Sequence, residues 1–132
     1  MDTTTPSPHA PALIEGDRTL TWREFIATRN RLAHALAGLG LSAGEHAIVY
    51  APNSANYLIA SAAVRAVGAI AVPMNHRLVT DEVAYIIDDS DAALVLVGDP
   101  FLATDRCSRP RGRRTPRGRR CARPTAGAHV RW

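Results

Sequence analysis

The sequence predicts an α/β fold, a partial parallel sheet with covering helices, and three observations predict it. Ala47 to Ala51, Ala69 to Val72 and Ala92 to Val97 are short runs, apolar throughout and without helical spacing, as strands buried on both faces are. Segments carrying helix-start signals separate these runs, and crossovers of that kind join parallel neighbours with a right-handed turn. With 132 residues in all, there is room for one modest domain and a core of ordinary size.

Residues 1–11 are polar and proline-rich, with neither a basic nor an apolar leader region, and are expected to form a flexible N-terminus without a secretory signal. Leu13 to Leu20 reads as a short hairpin, two apolar ends around the Gly16-Asp17 turn. Thr21-Trp22-Arg23-Glu24 is a capping box, in which the threonine hydroxyl accepts an N3 amide and the glutamate reaches back to the cap amide. Trp22, Phe25, Ile26, Leu32, Ala33, Leu36 and Leu39 then mark one helical face, and Gly40 supplies the left-handed residue that ends the helix.

The first apolar strand closes at Pro52-Asn53-Ser54, and Ser54 caps a helix that runs to about Val67. That helix is apolar nearly all round, so one of its sides is expected to call for a partner absent from this chain. Gly68 breaks it, and Pro73 is expected to terminate the second strand. Thr80-Asp81-Glu82 starts a third helix with acids at the positive end of its macrodipole, and Val83, Ile86 and Ile87 form its apolar face. The third strand follows. The longest apolar stretch, Tyr57 to Met74, is broken by Arg65, Gly68 and Pro73, so it reads as helix plus strand and not as a membrane span.

Charge divides the chain near Asp105. All sixteen basic side chains are arginine, and there is no lysine. Residues 1–105 hold six arginines against twelve carboxylates, whereas 106–132 hold ten arginines and no carboxylate. A segment with that much like charge and only Val130 and Trp132 as large apolar residues cannot offset its ordering entropy. The organisation expected is therefore a flexible 1–11, a partial α/β subdomain over 12–105 and a disordered basic tail over 106–132. Both cysteines, Cys107 and Cys121, fall in the tail, so the folded part needs no disulfide and a reducing cytoplasm is expected.

Several polar groups invite a functional reading. Asn75, His76 and Arg77 follow the second strand at its carboxyl end, where open α/β sheets place ligands, but the cluster reads as the cap of a turn. Ser54 would need a base, and nothing in the sequence sets His34, His46 or His76 beside it, so it reads as a helix cap. Asp88, Asp89 and Asp91 lack the glycine-centred loop of a cation site and read as a solvated face. Cys107, Cys121 and His129 lack the paired short spacing of zinc ligands. The sequence thus nominates no catalytic, cofactor-binding or metal-binding residue.

Leu20-Thr21-Trp22-Arg23-Glu24, Asn30-Arg31-Leu32-Ala33, Gly38-Leu39-Gly40, Ala51-Pro52-Asn53-Ser54, Gly68 to Asn75, His76-Arg77-Leu78 and Asp88 to Ala92 come in an order and spacing that resemble the adenylate-forming superfamily. Within it they look like the N-terminal part of fatty-acid and other acyl-CoA synthetases. The resemblance implies an enzyme that activates a carboxylic acid with ATP and Mg, then transfers the acyl group to coenzyme A. It also implies a Ser/Thr/Gly-rich phosphate loop closed by a lysine, an acid on the ribose and a second lysine. None of these carries over: Thr104 and Thr115 stand among arginines without the glycines, and no lysine exists. The expectation is an N-terminal fragment, inactive alone, that takes no cofactor itself and leaves a sheet edge open to self-association.

The tail repeats Pro-Arg-Gly-Arg-Arg at 110–114 and 116–120. Such tracts bind phosphate backbones by charge, and the core is similar to an AT-hook, with an arginine where the hook has its second proline. One reading makes Arg106 to Arg131 a weak, non-specific nucleic-acid arm. The other makes it the product of a GC-rich frame shifted by one base, which yields Arg, Pro, Gly, Ala and Cys in bulk and explains the abrupt loss of Ile, Leu and Asp after 105.

Overall fold

A computed structural model describes residues 6–98, and the boundary at 105, the tail and its cysteines lie outside them. The chain opens with a hairpin of β1 (Pro11–Glu15) and β2 (Arg18–Thr21), antiparallel, with a register irregularity between Pro11 and Leu13. Part of the stretch expected to be a flexible N-terminus is tied down. Pro11 already belongs to β1, and the Trp22 and Arg23 amides donate to the Ala10 and Pro8 carbonyls at 3.0 and 2.9 Å.

Helix α1 (Trp22–Gly38) starts on the capping box the sequence predicts. The Glu24 amide donates to Thr21 Oγ1 at 3.3 Å, and Glu24 Oε2 accepts from both the amide and the hydroxyl of Thr21 at 2.8 Å. These two bonds, the amide's first, hold the Glu24 carboxyl below its ordinary value. Trp22 and Phe25 meet edge to face, with centroids 5.8 Å apart. Gly40, at φ 95°, occupies the left-handed position after the helix.

Three parallel strands follow in the spatial order β4-β3-β5: β3 (His46–Tyr50), β4 (Ile70–Met74) and β5 (Leu94–Val97). Between them run α2 (Ala55–Ala66) and α3 (Thr80–Asp89). The pleat sends alternate residues to opposite faces. Ala47, Val49 and Leu96 join Leu32, Leu36, Ile59, Ala63 and Val64 in one core under α1 and α2. Ile48, Tyr50 and Met74 join Val83 in a second core under α3, with Val95 and Val97 against it. Both faces are covered, which explains why the strands lack polar alternation.

One expectation is corrected. Pro73 does not end the second strand but lies inside β4, opposite Val49. The Ile70 amide donates to the Glu45 carbonyl at 2.8 Å, so residues 70, 72 and 74 direct their amides to β3 while 71 and 73 point outward. A proline there forfeits no ladder bond. Helix α2 packs along α1, and Leu58 is the large apolar side chain exposed on it, at 47 %.

Candidate functional site

With β4 and β5 on opposite sides of β3, the chain reverses its winding at the carboxyl ends of β3 and β5, where open α/β sheets form ligand crevices. Three segments meet this edge: Ala51 to Ser54 after β3, Asn75 to Val79 after β4, and Gly98 after β5. Gly98 is wedged there. Its amide donates to the Tyr50 carbonyl at 2.9 Å, and a Cβ built on it would stand 2.9 Å from Ala51 Cβ. The close approach of the two loops leaves room only for glycine.

The polar groups of this edge bond mainly to one another. Asn75 Oδ1 accepts the Arg77 amide at 2.9 Å, an Asx turn that caps the exit from β4. Tyr50 Oη lies 3.5 Å from the His76 carbonyl, long for a hydroxyl donor. Ser54 Oγ accepts the Tyr57 amide at 3.1 Å and caps α2. Since His46 starts the strand whose other end leads to Ser54, about 16 Å of β3 separates the two. His46 instead donates Nδ1–H to the Ser90 carbonyl at 2.8 Å, which locks the end of α3 to β3 and places its proton on Nδ1. His34 is exposed on α1.

The N-terminus of α2 is where an anion would dock after β3, because free amides and the macrodipole converge there. In this chain a carboxylate from the hairpin already takes that place: Glu15 Oε1 accepts the Ala55 amide at 3.2 Å, and Arg18 beside it donates to Asn56 Oδ1 at 3.1 Å. Sequence reading missed this contact, which spans forty positions. A phosphate at α2 would face the charge of Glu15 with its best amides spent.

At the start of α3, the Val79 amide donates to Glu82 Oε2 at 3.1 Å, while the valine side chain offers no cap in return. Asp91, at φ 52°, takes the left-handed position after α3 that glycine usually fills. Among the described residues no group of three or more His, Cys, Asp or Glu could hold a metal ion, Asp88, Asp89 and Asp91 included. Nor does any helix among them have the length and apolarity to cross a membrane. Cys107, Cys121, His129, Thr104 and Thr115 lie outside the described residues.

The profile of the AMP-binding enzyme family matches residues 2–126. The long-chain-fatty-acid–CoA ligase FadD13 of Mycobacterium tuberculosis is 35% identical over 98 residues, which is 73% of this chain and 20% of the relative. The fatty acid–[acyl-carrier-protein] ligase ScoC of Streptomyces coeruleorubidus is 34% identical over 94 residues, 71% of this chain and 18% of that protein. Among solved structures, the o-succinylbenzoate coenzyme A synthetase MenE of Bacillus subtilis with ATP and magnesium ion superimposes at a TM-score of 0.68 and 32% identity. The match covers 71% of this chain and 26% of MenE. The chain thus spans about a fifth of the length of the curated relatives it matches.

Proposed function

The chain belongs to the AMP-binding enzyme family, and on that premise we propose that it is the N-terminal portion of an ATP-dependent acyl-CoA ligase that does not catalyse the reaction alone. The family reaction joins a carboxylic acid to coenzyme A and converts ATP to AMP and pyrophosphate. FadD13 and ScoC are named for fatty acids, and that class of acid is the substrate proposed for the intact enzyme. What supports the inactivity is the sequence itself: it holds no Ser/Thr/Gly-rich loop closed by a lysine, and no lysine at all. Phosphoryl and adenylyl transfer rely on positioned amides and cations for most of their acceleration. What this portion contributes is packing, a two-faced sheet core. A reducing cytoplasm is its proposed location, since the cysteines stand only at 107 and 121.

Purified chain supplied with ATP, magnesium ion and a panel of fatty acids should release no acid-dependent pyrophosphate. A stoichiometric acyl-adenylate would overturn the claim. Sequencing the coding DNA past codon 105 tests the ligase reading separately. A Ser/Thr/Gly-rich loop closed by lysine in a frame shifted by one base supports it, and independent clones with no such loop in any frame sink it.

A second reading is favoured by the ten arginines of 106–132: a non-enzymatic α/β module whose arm binds nucleic acid through phosphate charge alone. Binding should then be indifferent to sequence and collapse as salt rises. A chain cut after Asp105 that bound as well as the whole would remove the arm from that role.

A further inference from the structure

We propose that the outer face of α3 is the docking surface for the chain's own arginine-rich segment, residues 106–131. Helix α3 turns Val83, Ile86 and Ile87 into the second core, and on the opposite side Tyr85 is 67 % exposed. The positions three and four residues from Tyr85 in both directions are Asp81, Glu82, Asp88 and Asp89, all exposed. At that spacing their side chains are neighbours of the tyrosine on the helix surface. An aromatic ring framed by carboxylates fits a guanidinium, which stacks on the ring face while forking its N–H donors to the acids.

The surroundings do not neutralise this face. Asp81, Asp88 and Asp89 have no ion-pair partner among the described residues, and Glu82 accepts the Val79 amide with one oxygen. From residue 66 to 98 there is one arginine, Arg77, against five carboxylates. The strands packed under α3 bring Tyr50 and His46, and the imidazole is engaged by the Ser90 carbonyl.

Charge and length name the occupant. Residues 106–131 carry ten arginines and no acid. Helix α3 follows β4, so it starts near the carboxyl edge of the sheet, the edge at which Gly98 stands. The seven residues 99–105 can reach about 25 Å when extended, against about 15 Å for the whole of α3. Every guanidinium site on the helix is therefore within range. Covalent attachment gives the segment an effective concentration on the order of millimolar, which favours its own helix over that of a second copy.

Cys107 and Cys121 are the only cysteines of the chain, and both lie in the proposed occupant. A maleimide-benzophenone attached to them in the full chain and irradiated should give cross-links that map to residues 80–89 and run with the monomer on a denaturing gel. Those cross-links should fade from about 0.1 to about 1 M salt, as the screening length drops from about 10 to about 3 Å. They should also fade in Asp88→Asn/Asp89→Asn, two exposed changes that spare the helix cap. Cross-links spread evenly over the surface, cross-links unchanged by salt, or cross-links found only in a dimer band would each overturn the proposal.

Discussion

Replacing Gly98 with alanine tests the arrangement of the carboxyl edge directly. The new Cβ would stand 2.9 Å from Ala51 Cβ, 3.4 Å from Ala51 Cα and 3.6 Å from Pro52 Cδ. Ordinary contact begins near 3.4 Å, so the two loops must part by about half an ångström. Ala51 Cβ is fixed to the backbone, so a rotamer change cannot absorb the shift. The hydrogen bond from the Gly98 amide to the Tyr50 carbonyl, now 2.9 Å, has to lengthen as well. Overpacking of this kind costs about 1–3 kcal/mol, and the lower unfolded-state entropy of alanine returns about 0.4–1. The expected net loss is about 1–2 kcal/mol, a fall in Tm of roughly 5–10 °C for a domain of this size. Circular dichroism of thermal unfolding should be read on four chains: wild type, Gly98→Ala, Ala51→Gly and the double variant. Removing the Ala51 methyl should recover part of the loss, with a coupling above about 0.5 kcal/mol. If Gly98→Ala unfolds with the wild type, or the two changes simply add, then the loops after β3 and β5 are not in contact.

Other expectations follow from the helix ends and the sheet margin. Val79 holds the cap position of α3 with extended backbone, a 61 % exposed side chain and no acceptor to offer, while Glu82 already bonds its amide. Val79→Ser completes the box and should stabilise the chain by about 1 kcal/mol in urea unfolding; no gain would mean that the first turn is frayed. Because folding lowers the Glu24 pKa below about 4.5, its contribution is present above that value and lost as pH falls through the folded one. Glu24→Gln should therefore flatten the acid side of the Tm profile, and parallel profiles for variant and wild type would refute the role of the Thr21 bonds. Finally, β5 pairs only with β3 among the described residues and carries neither proline nor charge, so light scattering should show association that rises with concentration. A monomer at every concentration tested would mean that the edge is covered.

The elements were legible because their signals are local. Thr21 and Glu24 sit three residues apart, the apolar strands are continuous, and Gly40 and Gly68 mark their breaks, so each feature acts within one turn of chain. The features that escaped sequence reading depend on register. Pro73 looks like a terminator until the Ile70 bond to Glu45 shows that residue 73 points its backbone away from β3. Glu15 looks like a turn residue until the fold brings it to the first amide of α2. Val79 carries no cap signal of its own, since Thr80 and its acids announce the helix, although the extended backbone lies one residue earlier.

The two margins of the sheet differ for the same reason. At β4, proline removes an outward amide and so blunts the edge against a further strand. At β5, Leu94 to Val97 carries no such device, and in the order β4-β3-β5 it is the side on which a parallel sheet can grow. MenE superimposes on this chain with about a quarter of its own length, so in that protein the matched part stands within a much larger body. A margin blunted on one side and bare on the other is what a sheet needs when its next strand must be added at a single edge. This asymmetry, more than any polar group, directs further strand pairing to the β5 margin.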